Sequence, residues 1–199
     1  AGFDSVKIKC VVMRGVNDDE LADFADLART APVTVRFIEY MPLGDSAVAS
    51  GAGRVADDET GPAGGCGAQD RGDVLVPRDE IMAAVEARHG PLAAVPRDDE
   101  PGVGPAVPFT FRAARGRLGF ISAMSHPFCD TCNRLRLTAA GVLRSCLFDG
   151  GEVDLMPILQ QATGPAADSA IAHAMAECVR LKPVTHSGHG NAQMSRVGG

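Results

Sequence analysis

Residues 6–42 read VKIKCVVMRGVNDDELADFADLARTAPVTVRFIEYMP, and their pattern decides the fold. The opening VKIKCVVM is rich in β-branched side chains and alternates at its start, with Lys7 and Lys9 on one side and Val6, Ile8 and Cys10 on the other. This predicts a strand with one polar face. Asn17 or Asp18 then offers N-cap chemistry, and Leu21, Phe24, Ala25 and Ala28 recur at helical spacing, which predicts a helix over 18–29. A second strand follows, in which Val33, Val35 and Phe37 alternate with Thr34, Arg36 and Ile38 up to Tyr40-Met41-Pro42. Strand, helix, strand in so short a span means parallel strands joined by a crossover helix, so the fold class is α/β.

Outward from this unit, residues 44–73 turn to Gly, Ala, Asp and Ser without a period, as a long loop would. A helix is expected after Pro77, with Ile81, Met82, Val85 and His89 on one face and a stop at Gly90-Pro91. Pro and Gly are too dense over 95–108 for regular structure, whereas FTFRAARGRLGFISAM (109–124) predicts two strands around a turn near Arg115-Gly116. Short strands are expected over 134–138 and 142–147 around Ala140-Gly141. Helices are expected over 155–161 and 166–180, the latter with Ile171, Met175, Cys178 and Val179 inward.

The 199 residues carry 19 basic and 25 acidic side chains, a formal charge of −6, with 45% hydrophobic residues and a mean hydropathy of +0.03. That composition excludes a disordered chain, and its acidic balance argues against a dedicated nucleic-acid binder. No apolar run approaches the roughly 20 residues of a membrane span. The first ten residues, AGFDSVKIKC, lack a charged region followed by an apolar one, so no secretory signal is expected and the location is expected to be cytoplasmic. In that compartment, clustered cysteines mean metal or catalysis more often than crosslinks.

Six cysteines occur, at 10, 66, 129, 132, 146 and 178, and three of them lie in SHPFCDTCNRLRLTAAGVLRSCLF (125–148). The CxxC of Cys129 and Cys132 lets two thiolates reach one metal centre, and a strand, turn and strand bring Cys146 back beside them. Soft thiolates select zinc or an iron-sulfur cluster. A structural zinc site wants a fourth ligand, for which His126 is nearest, and that reading gives a non-catalytic zinc-binding module. A cluster held by three cysteines leaves one iron open for a substrate atom. Three unrelated buried thiols are the plain alternative. Just beyond Cys132, strand alternation puts Arg134 and Arg136 on one face and Leu135 and Leu137 on the opposite, core-facing one; paired guanidiniums suit phosphate or carboxylate.

VKIKCVVMRGVNDDE, VRFIEYMPL, the cysteine-arginine segment and the terminal Gly-Gly resemble the C-terminal portion of the GTP 3′,8-cyclase family, the radical S-adenosylmethionine enzymes of molybdenum cofactor biosynthesis. The resemblance runs from Val6 to Gly199 and is poor over 44–73 and 93–106. It implies that Cys129, Cys132 and Cys146 hold a second 4Fe-4S cluster whose open iron takes the guanine of GTP. Lys7, Arg36, Arg134, Leu135 and Arg136 match the family's GTP contacts, Met41 matches a contact to S-adenosylmethionine, and Gly198 and Gly199 match a tail that reaches the active site. No catalytic side chain is assigned.

The fold implied is the last strands of an incomplete, TIM-like barrel over 1–45, a Gly-rich loop over 46–75, and an α+β cluster-binding domain over 76–199. The family's reaction is a lyase chemistry in which a 5′-deoxyadenosyl radical takes a ribose hydrogen from GTP and rearrangement gives the cyclic precursor of the cofactor. The CxxxCxxC that holds the radical-generating cluster is absent from these residues, and Lys9 stands where the family commonly has asparagine. The expected partners are therefore GTP and a radical-generating half, supplied by a missing N-terminal portion or by a separate chain. A homodimer is compatible with the sequence. Alone, the chain is expected to be inactive.

Overall fold

β1 (Val6–Val12) and β2 (Val33–Glu39) pair in parallel, from Val6 opposite Val33 to Val12 opposite Glu39. The connection is helix α1 (Leu21–Thr30), which buries Leu21, Ala25 and Ala28 at helical spacing. It starts three residues later than expected. Asn17 and Asp18 do not cap it but stitch the turn before it: the Asn17 side chain accepts from Met13 N (2.8 Å) and donates to Val11 O (2.9 Å), and Asp18 accepts from Gly15 N (2.8 Å). Side chains of this type compete for local backbone partners, and here the turn wins over the helix.

The computed structural model describes residue 3 and residues 6–43, 74–96, 104–161 and 163–188. They belong to two compact units, Ala1–Tyr40 with Cys66–Phe128 and Met41–Gly65 with Cys129–Gly199. The expected loop over 44–73, Cys66, Gly198 and Gly199 lie outside the described residues.

In the first unit, helix α2 (Arg78–His89) precedes β3 (Ala93–Ala94), β4 (Val107–Thr110) and β5 (Arg117–Ile121). The sheet order is β1-β2-β5-β4-β3, with β5 parallel to β2 and the last two strands antiparallel. The same sheet thus takes strands from both sides of the 46–75 stretch. β4 begins inside the segment expected to be irregular, and Pro108 serves there as an acceptor, its carbonyl taking Val95 N at 3.0 Å.

One face of the sheet is the core. Cys10, Val12, Val35, Phe37, Leu118 and Phe120 are buried with Ile81 and Val85 of α2, and the Phe37 and Phe120 rings stack at 5.7 Å. Register puts Lys7 with Thr34, and Lys9 with Arg36 and Gly119, on the other face, which is the polar face that the alternation predicts.

The second unit is smaller. β6 (Arg136–Leu137), β7 (Val142–Arg144) and β8 (Glu152–Asp154) form an antiparallel sheet, against which lie α3 (Met156–Gln161) and α4 (Gly164–Arg180). Leu143, Leu155, Ala174 and Cys178 form its core, joined by Leu135, Val153 and Ile158. The face expected for α4 is corrected here: Cys178 is fully buried, but Met175 and Val179 are 44% and 53% exposed. The helix approaches through small residues, and larger side chains one position on would hold it away. Leu137 is likewise not in the core but 59% exposed, whereas Leu135 packs inward.

Candidate functional site

The cysteine segment folds as a turn, an arm, a hairpin and a second arm. Cys129 opens a single 3₁₀ turn (Cys129–Thr131) that closes with Cys132 N donating to Cys129 O at 3.2 Å, so both thiols leave one turn. The chain then enters β6 and reverses at Thr138. There the backbone N–H bonds to Val142 O (2.9 Å), and the Thr138 hydroxyl accepts from Val142 N (3.0 Å). β7 returns with Arg144 opposite Arg136. The ladder ends there, with Cys146 two residues beyond Arg144 and Cys132 two residues before Arg134. The strands end sooner than expected because Ser145 N turns away to Gly151 O (3.2 Å), which leaves Cys146 on a loop.

The electrostatics of this hairpin favour a thiolate at Cys132. Burial pushes the Cys132 thiol up, but the Arg134 backbone N–H and guanidinium, with Lys182, outweigh it and hold the thiol below its ordinary value. The Arg134 Nη2 lies 3.8 Å from Cys132 Sγ. Burial and then the Arg134 charge hold Arg136 below the usual arginine range, while Cys132 and Cys146 both pull it upward. Arg136 Nε is buried with no hydrogen-bond partner among the described residues. Arg144, 3% exposed, faces Glu152 Oε1 at 3.1 Å without hydrogen-bond geometry.

The described cysteines are free thiols, and no three His, Cys, Asp or Glu side chains among the described residues stand as the ligand set of one metal ion. Two thiolates on one zinc would sit about 3.8 Å apart, from the tetrahedral angle and a Zn–S bond of about 2.3 Å. His126, the expected fourth zinc ligand, is engaged within the first unit, with Nδ1 3.0 Å from Ser125 Oγ and Nε2 3.8 Å from Asp79. The zinc-module reading has no support.

On the first unit's polar face, Arg36 is 8% exposed and its stem crosses Gly119; a Cβ there would lie 3.2 Å from Arg36 Cγ. Lys7 is its diagonal neighbour on β1. Met41 follows β2 and is half-buried. At the end of the same strand, fully buried Glu39 accepts from Arg78 N (2.8 Å), Met124 N (2.8 Å), Ser125 N (2.9 Å) and the Ser125 hydroxyl.

Sequence reading passed over Glu39, Arg144 and Lys182. Arg144 stands two residues before Cys146 as Arg134 stands two after Cys132, a symmetry that could have flagged it. Glu39 and Lys182 act on partners far along the chain and left no local signal.

The family model described as Molybdenum Cofactor Synthesis C matches residues 59–188. A GTP 3′,8-cyclase of Pelotomaculum thermopropionicum is 40% identical over 203 residues, covering 100% of this chain and 54% of that protein. One from Moorella thermoacetica is 38% identical, again covering 100% and 54%, and the mitochondrial GTP 3′,8-cyclase of Arabidopsis thaliana is 34% identical, covering 100% and 45%. The chain spans about half the length of these curated relatives. With two thirds of its residues inside the family match, and with the thiol-arginine hairpin lying within that match, the chain belongs to the Molybdenum Cofactor Synthesis C family.

Proposed function

We propose that this chain is the substrate-binding part of a GTP 3′,8-cyclase, a lyase of molybdenum cofactor biosynthesis, and that Cys129, Cys132 and Cys146 hold a 4Fe-4S cluster beside GTP. The observation that carries the reading is the hairpin itself. It sets two thiols on one turn and a third on the returning arm, and carries on β6 the Arg136 guanidinium, whose Nε is buried with no partner among the described residues. An all-thiol donor set in cationic surroundings fits a cluster, and an orphaned buried donor fits an anionic ligand. When bound, the cluster supplies an iron with an open coordination place.

The chain's own residues bind and orient. Arg134 and Arg136 present forks of donors to the nucleotide, and Leu135, whose side chain packs on the core, offers its backbone. Lys7 and Arg36 take phosphate charge on the polar face of the parallel strands, and these strands are read as the end of an incomplete radical S-adenosylmethionine barrel. Met41 is assigned to S-adenosylmethionine, and Gly198 with Gly199 to a tail that reaches the active site. A radical-generating half completes the enzyme, and this chain alone does not turn over GTP.

Anaerobic reconstitution with iron and sulfide tests the reading. The native chain should turn brown and hold about four irons. Serine at 129, 132 or 146 should remove most of them, whereas Cys178→Ser should not. Equal iron in all four variants would overturn the assignment.

A further inference from the structure

Lys182 stands just beyond α4, where the helix ends with Leu181 N bonded to Glu177 O and Lys182 N to Val179 O, both at 3.0 Å. Its ammonium donates to two main-chain carbonyls, Arg134 O and Ser145 O, each at 2.9 Å. These carbonyls belong to different arms of the hairpin. Arg134 is two residues past Cys132, and Ser145 immediately precedes Cys146. No β-ladder bond holds the arms at this level, since β6 and β7 pair only through Arg136–Arg144 and Leu137–Leu143. No carboxylate among the described residues forms a salt bridge with the Lys182 ammonium.

The fold brings Lys182 there by a close backbone approach. Gly151 has φ +68°, and a Cβ on it would stand 2.0 Å from Ser145 Oγ and 3.0 Å from Leu181 O, so only glycine lets the 181–182 segment close on the Cys146 arm. The same segment is held again further on. His186 stacks on buried Phe148 at 4.2 Å, and the Ser187 hydroxyl donates to Asp149 Oδ1 at 2.6 Å.

We propose that Lys182 is the positioning residue of the cysteine site: one ammonium clamps the Cys132 arm to the Cys146 arm and so sets the separation of their thiols for the cluster. The inference rests on the cluster assignment above. A cation suits this place because it bonds two carbonyls at once and adds positive charge beside ligands that must be thiolates. Partners that orient ligands without touching the metal typically govern about a tenfold to hundredfold change in metal affinity.

The test compares native chain, Lys182→Met, Lys182→Arg and Leu155→Ala after anaerobic reconstitution. The readouts are iron per chain, the rate of iron loss to a chelator and the thermal midpoint of the metal-free form. Methionine keeps most of the stem but cannot donate; arginine can still reach both carbonyls. Leu155→Ala loosens the core that both arms pack on, through Leu135 and Leu143, while leaving the Lys182 bonds to Arg134 O and Ser145 O in place. The expected result is iron loss about tenfold or more faster in Lys182→Met, near-native behaviour in Lys182→Arg, and near-native iron retention in a destabilised Leu155→Ala. Native iron retention in Lys182→Met overturns the inference, as does iron loss in Lys182→Arg, or loss in Leu155→Ala equal to that in Lys182→Met. Should Lys182→Met not fold, Lys182→Arg decides: native retention supports the clamp and loss overturns it. A native chain that takes up no cluster overturns the cluster assignment itself, and the clamp with it, which separates that failure from failure at Lys182 alone.

Discussion

Arg136→Met should make the metal-free chain more stable while removing its capacity for nucleotide. Arg136 Nε is buried with no hydrogen-bond partner among the described residues, and such an orphaned donor costs about 1–3 kcal/mol. Arg144 stands directly opposite in the strand register, and like charges in that relation cost roughly 0.2–1 kcal/mol more. Methionine keeps much of the buried stem, so little packing is lost. Part of the gain is given back because the guanidinium is only half-buried and its outer nitrogens reach solvent, which leaves a net stabilisation of about 1–2 kcal/mol. For a chain of this size that is an upward shift of about 2–8 °C in the thermal midpoint. In the reconstituted chain the same substitution deletes charge-assisted bonds to GTP worth about 1.5–3 kcal/mol, on the order of tenfold to a hundredfold in affinity. The assay is a thermal melt of the reduced, metal-free form paired with GTP titration of the reconstituted form. A midpoint lowered by about 2 °C or more, or native GTP affinity, would refute the reasoning that this guanidinium is kept at a cost to the fold for the sake of a ligand.

Glu39→Gln should destabilise the first unit by about 2–4 kcal/mol in urea unfolding, because each carboxylate oxygen takes two of the four donors and an amide sets its own donor against one of those pairs; a loss below about 0.5 kcal/mol would show the carboxylate to be dispensable. The Ser187 hydroxyl, more than its backbone N–H, holds the Asp149 carboxyl below the usual range. The native value is the lower one, so its stabilising contribution is complete above the ordinary aspartate value of about 3.9 and is lost as pH falls through the native value. Asp149 is only partly buried and its carboxylate meets solvent, so the effect is well under about 1 kcal/mol, and Asp149→Asn should narrow the difference in urea midpoint between about pH 6 and pH 3. Arg134→Ala should slow alkylation of Cys132 below the ordinary thiol range, since burial would then act on that thiol without its main opposing group; an unchanged rate would remove Arg134 from the thiolate's support.

How much of this was legible beforehand follows the range of the interactions. The alternation of Lys7 and Lys9 with Ile8 and Cys10, and of Thr34 and Arg36 with Val35 and Phe37, specifies two strands and their polar face, since side-chain direction in a strand has a period of two wherever the strand sits. Spacing alone also placed the turn of Cys129 and Cys132, the hairpin at Ala140-Gly141 and helix α2. The inner face of α4 was not legible, because Met175 and Val179 satisfy the helical period as well as Ala174 and Cys178 do, and only the closeness of the neighbouring sheet selects the smaller pair.

What the sequence by itself determined is the local geometry and the chemistry on offer: parallel strands with basic side chains on one face, and three thiols and two arginines on a turn and a hairpin. Only the tertiary structure decided what holds that chemistry in place. The buried Glu39 carboxylate and the Lys182 ammonium across the hairpin's arms take partners up to 86 residues away, and a bond between distant residues has no period or spacing by which it can be read.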